Sequence, residues 1–121
     1  MSGVEARSTS PGGRYVVGVD PFEARASQWV DTPVLVDTAA GRTLLALTDC
    51  YWHLDSADWE SESVVVLHLR HFPDPHHYRC TVVVDCQHRT ASLDGAEPHP
   101  LGQLDEILGQ AYTAGVVDPD A

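Results

Sequence analysis

The stretch from Ser63 to Cys86, SVVVLHLRHFPDPHHYRCTVVVDC, decides the fold. Two runs rich in β-branched residues, Ser63 to His71 and Tyr78 to Cys86, flank Phe72-Pro73-Asp74-Pro75-His76-His77. β-Branched side chains favour extended chain, and two prolines in the link end strand pairing there. The reading is a β-hairpin. With Leu69 placed opposite Cys80, Val65, Leu67 and Leu69 meet Cys80, Val82 and Val84 on one dry face. The other face sets Val64, Val66, His68 and Arg70 against Arg79, Thr81, Val83 and Asp85. That division is what a sheet with one solvated side requires. Arg89 to Leu93 is predicted to pair back, with Ala91 and Leu93 extending the dry face.

Working outward, Arg14 to Val19 reads as a first strand. Asp20-Pro21-Phe22-Glu23 has the residue types of a helix start: a capping Asp, a Pro at the first helical position and a Glu able to reach back. The spacing of Phe22, Ala26, Trp29 and Val30 predicts a two-turn helix from Pro21 to Trp29. Val34 to Asp37 and Thr43 to Thr48 read as a second hairpin around Ala39-Ala40-Gly41-Arg42, apolar on both faces. Such a pair belongs in the centre of a domain or at a subunit interface. Pro100 to Ala114 is predicted helical, with Leu101, Leu104, Ile107, Leu108, Ala111 and Tyr112 on one stripe and Gly115 just past its end. Residues 1–13 read as a disordered tail, 14–115 as a single domain and 116–121 as a short tail. The expected architecture is α+β: a mostly antiparallel meander sheet of about five to six strands, with a short N-terminal helix and a C-terminal helix packed on one face.

Eighteen acidic residues face seven arginines and no lysine, a formal charge of −11. Asparagine is also absent, which a GC-rich, bacterial-type genome explains without reference to function. The negative field repels phosphate backbones, so direct nucleic-acid binding is not expected, and it favours association with a basic partner. No apolar run approaches the roughly 20 residues that span a bilayer, and Met1 to Gly13 lacks the apolar stretch of a signal peptide. The expected location is the cytoplasm. Cys50, Cys80 and Cys86 form no disulfide framework. Six residues along one strand is roughly 20 Å, so Cys80 and Cys86 are read as free thiols.

No phosphate loop, GxSxG, HExxH, CxxC or EF-hand pattern is present, and no cofactor is expected. His77-x2-Cys80-x5-Cys86-x-His88 has zinc-ligand residue types, but two cysteines spread along a strand do not converge on one tetrahedral ion. The histidine-rich hairpin, with His68, His71, His76, His77 and His88, is therefore read as a titratable tip without metal. A metal-dependent enzyme or sensor built on it is a lesser alternative.

The segment Asp49 to Glu62 joins two tryptophans and a tyrosine to five carboxylates with no basic residue. Residues 43–69 sum to −5, 90–121 to −6 and 70–89 to +1, so the hairpin tip is the least acidic part. Aromatics among acids suit a surface for a basic partner. Tyr51, Trp52, Asp55, Asp58, Trp59, Glu60 and Glu62 are the candidate partner-binding residues. The competing reading buries Trp52 and Trp59 in the core and leaves the acids as a solvated connection. In size, acidity and lack of motifs the chain is similar in general character to bacterial inhibitor or immunity proteins. The function expected on these grounds is a non-catalytic protein-interaction domain for a basic protein partner. A self-associating adaptor, forming a homodimer through the doubly apolar hairpin, is the alternative.

Overall fold

The computed structural model describes residues 5–25, 28–72 and 78–116. Two antiparallel sheets share one core. The first contains β1 (Glu5–Thr9), β2 (Tyr15–Arg25), β3 (Gln28–Asp37) and β4 (Arg42–Ala46), in chain order. The second contains β5 (Trp52–Trp59), β6 (Val64–His71), β7 (Arg79–Asp85), β8 (Thr90–Leu93) and β9 (His99–Pro100), also in chain order. A 3-10 turn at Leu101–Gln103 leads into α1 (Leu104–Val116). The class is sheet-rich α+β with a C-terminal helix, but built from two sheets and not from one meander.

The central hairpin follows its side-chain pattern. Leu69 pairs with Cys80, Leu67 with Val82 and Val65 with Val84, and all six are buried. Val84 also pairs with Ala91 of β8, which is buried as well. Facing these, the first sheet contributes Tyr15, Val17, Val19 and Leu35. Leu101, Leu104 and Leu108 close the core from the helix.

There is no helix from Pro21 to Trp29. The chain runs on as β2 and returns as β3, with Phe22 opposite Val30 and Pro21 opposite Asp31. A helix that short is marginal alone, whereas the hairpin buries Val30 completely and extends a ladder already begun at Tyr15. Among the described residues the pairing of β1 with β2 reaches only to Val19, so Pro21 meets no described strand on that side and its missing N–H costs no described ladder bond there. Residues 26–27 lie outside the described residues.

The expected tail also changes. Glu5–Thr9 pairs with β2, and residues 10–13 form its turn. Ser10 is buried, its Oγ accepting from the Tyr15 N–H and donating to Glu62 Oε2. The Gly12 N–H also donates to Glu62. Edge pairing uses main-chain groups, so a polar sequence without periodicity can supply it.

The β3–β4 turn is held by Asp37, whose buried carboxylate accepts Arg14 Nε and Nη2, both at 3.0 Å, and the Ala39 and Ala40 N–H groups. The Arg14 hydrogen bond holds this carboxyl below the usual range, against the opposing effect of desolvation. Gly41 supplies the left-handed φ of 64° that ends the turn. One face of this hairpin, Leu35, Leu45 and Leu47, is in the core, with Leu44, the extra residue of a bulge, packed against it; on the other, Val34 and Val36 are half-buried and Ala46 is exposed.

Candidate binding surface and the adjoining cleft

Strand β5 carries most of the residues singled out for partner binding. Its inward pattern changes parity partway along: Trp52 and Leu54 point to the core, then Ala57 and Trp59. A β-bulge produces the change, since Leu54 pairs with Leu69 and Ser56 with His68, leaving Asp55 as the extra residue. A bulge re-aims the side chain it inserts. Here it turns Asp55 outward, where its carboxylate accepts Arg70 Nε at 2.8 Å.

The seven candidates are not brought into one patch. Trp52 is 1% exposed and belongs to the core, which removes it from any contact surface. Tyr51 is half-buried, its ring edge-on to Phe22 at 5.4 Å. Trp59 is half-buried and stacked on Tyr15 with centroids 6.5 Å apart. Its indole N–H is buried with no partner among the described residues. Asp55 is paired with Arg70, and Glu62 is tied to Ser10 and Gly12. Asp58, 71% exposed and 3.4 Å from His68 Nε2, and Glu60 remain open to solvent. At about 3.3 Å per residue, the Tyr51 end and the Trp59 end of this strand lie roughly 25 Å apart.

At the Tyr51 end a cleft of about 420 Å³ is lined by Gln28, Trp29, His53, Arg70, His71, Phe72 and Arg79. It lies where the first residues of β3 approach the start of β5. The Asp31 N–H donates to His53 Nδ1 at 3.0 Å, and Thr32 Oγ1 donates to the Cys50 carbonyl at 2.8 Å. His71 forms the inner wall, stacked on Tyr112 at 4.1 Å and edge-on to Trp52 at 4.8 Å. Its Nε2 meets Asp49 Oδ2 at 3.0 Å, and its Nδ1 is buried without a partner among the described residues. The sequence signal for this cleft is the +1 charge of residues 70–89 in an acidic chain. Trp29 and Gln28 carried no signal, because the helix reading placed them elsewhere.

His53 is held neutral. Burial pushes its pKa below the ordinary 6.5, and Arg70 adds to the effect. Geometry agrees, because protonating Nδ1 breaks the bond from Asp31. A histidine with a depressed native pKa binds fewer protons folded than unfolded. Its contribution to stability is therefore complete above about pH 6.5 and is lost as pH falls from there through the lowered native value. Thermal midpoints between about pH 7.5 and 5 should fall more in the native protein than in His53→Asn, whose amide oxygen accepts the same N–H without titrating. Equal slopes would show that His53 is not the group responsible.

The described residues offer little for covalent or metal chemistry. Burial pushes the Cys80 and Cys86 thiols up to about 12, so neither is a thiolate nucleophile at neutral pH. Among the described residues no group of three or more His, Cys, Asp or Glu side chains is placed to hold a metal ion. His76 and His77, part of the metal reading, lie outside the described residues, and His88 is in the turn that follows β7, bonded to Asp85 at 2.9 Å. No helix among the described residues is long and apolar enough to cross a membrane. No protein-family model, curated protein or solved structure matches the chain.

Proposed function

We propose that this chain is a non-catalytic binding domain whose partner is a basic protein docking at the Trp59 end of β5. The observation that supports it is the exposed negative charge there. Asp58 and Glu60 stand exposed at the turn into β6, beside the half-buried Trp59, in a chain with a net charge of −11. Three of the seven arginines are engaged elsewhere, Arg7 with Asp31, Arg14 with Asp37 and Arg70 with Asp55. Such a field steers a cationic partner and raises its association rate, and an aromatic flank supplies contact area. Three free cysteines agree with a reducing compartment, the cytoplasm.

The test begins with capture of the partner from native extract at low salt, followed by kinetics with the purified pair. The association rate is expected to fall steeply as ionic strength rises, because exposed charges are screened within about 10 Å at 0.1 M salt. The double variant Asp58→Asn, Glu60→Gln should slow association several-fold and leave dissociation nearly unchanged. An association rate insensitive to salt would remove the proposal.

A further inference from the structure

The cleft at the other end of β5 has the opposite electrostatic character. His53 on β5 pairs with Arg70 on β6, and Arg70 pairs directly with Arg79 on β7, so three nitrogen-bearing side chains stand in a row across the second sheet. Like charges directly opposed across antiparallel strands are destabilising. The chain has 18 carboxylates and seven arginines with which to avoid that arrangement. Elsewhere on the same face the pairs are neutral or singly charged: His68 meets Thr81, Val66 meets Val83 and Val64 meets Asp85. Asp55 engages Arg70 through Nε only, leaving that guanidinium with further donors.

Trp29 stands at the lip of the same cleft. At 57% exposure it is the one large apolar side chain left open among the described residues. An exposed tryptophan beside two guanidinium groups offers an aromatic face and an oxyanion clamp within one cavity. Its volume of about 420 Å³ suits a small molecule.

We propose that this cleft binds a small molecule carrying an oxyanion, carboxylate or phosphate, on a flat ring. Arg70 and Arg79 hold the oxyanion, each able to present paired N–H donors to it. Because His53 Nδ1 accepts from Asp31, its neutral ring carries the proton on Nε2, which lies 3.8 Å from Asp55 Oδ1, beyond hydrogen-bond distance, and adds a third donor. Trp29 stacks on the ring. A bound anion also relieves the repulsion between the opposed arginines. The chain's net charge repels free anions, so affinity comes from these contacts and not from long-range steering. The site is separate from Asp58 and Glu60, and either proposal can fail without the other.

The test is titration of the full chain, followed by amide NMR, with four probes: phenyl phosphate, benzoate, inorganic phosphate and phenol. Saturable shifts at His53, Arg70 and Arg79 are expected with at least one ring-bearing anion, and the tighter of the two identifies the oxyanion. Arg79→Gln, at an exposed position that leaves the core untouched, should weaken the preferred probe about tenfold or more. Trp29→Ala should weaken it several-fold while the melting temperature is retained. Phenol binding as tightly as the anions, no saturable shift with either ring-bearing anion, or unchanged affinity in either variant overturns the proposal.

Discussion

Trp52→Ala is expected to destabilise the fold by about 3–5 kcal/mol, the range for removing a large buried aromatic side chain. The indole is 1% exposed and sits among three rings, edge-on to His71 at 4.8 Å and to Tyr78 and Tyr112 at 6.0 Å each. Edge-to-face pairs contribute beyond the area they bury, so truncation loses contacts that a relaxed core does not restore. A loss of that size is a large part of the 5–15 kcal/mol that keeps a typical domain folded. Equilibrium urea unfolding gives the measurement. Trp29→Ala, on the exposed lip of the cleft, is the control and should change stability by no more than about 0.5 kcal/mol. A Trp52→Ala loss below about 1 kcal/mol would contradict its burial. The comparison also separates the two tryptophans by role, one a core anchor and one a surface group.

The second large effect is expected at Leu108. Its side chain is fully buried on the underside of α1, with Leu104 at 1% exposure beside it. Alanine there should cost about 2–5 kcal/mol, depending on how far the helix settles into the space left. The effect should be local as well as global. Gly109 lies within α1 and weakens it by roughly 1 kcal/mol relative to alanine, so the helix depends on docking. Its other ties are Asp105, which accepts the Thr48 N–H at 2.9 Å, and Tyr112, stacked on His71. Hydrogen exchange should show the α1 amides losing protection before those of β6 and β7. Equal loss across the helix and the central hairpin would show that α1 does not open separately.

What could be read from the residues and what could not have different physical causes. The β6–β7 hairpin was legible to the residue, Leu69 opposite Cys80, because one side of it is dry and a one-residue slip would turn the buried Val65, Val82 and Val84 outward. The stripe of Leu101, Leu104 and Leu108 marked the C-terminal helix for the same reason, since burial imposes its own period. Strand β5 defeated period-two reading because the bulge at Asp55 switches its buried residues from even to odd positions. The Asp20 to Glu23 segment carries helix-start residues, yet local propensity was overridden by pairing with Gln28–Asp37, a partner not identifiable from the segment itself.

The candidate surfaces divide along the same line. Charge was determined by the sequence alone: the deficit of cations, the acidic segments and the relatively basic hairpin tip are sums over residues and need no coordinates. Which charges remain available was decided by the tertiary structure. Glu62 was drawn to Ser10 and Gly12 from about fifty positions earlier in the chain, and Asp55 was turned onto Arg70 by a bulge. Trp29 was carried by a hairpin to the mouth of the cleft beside Arg70 and Arg79. Charge is additive along a chain, whereas pairing depends on distances that exist only once both sheets have closed on their shared core.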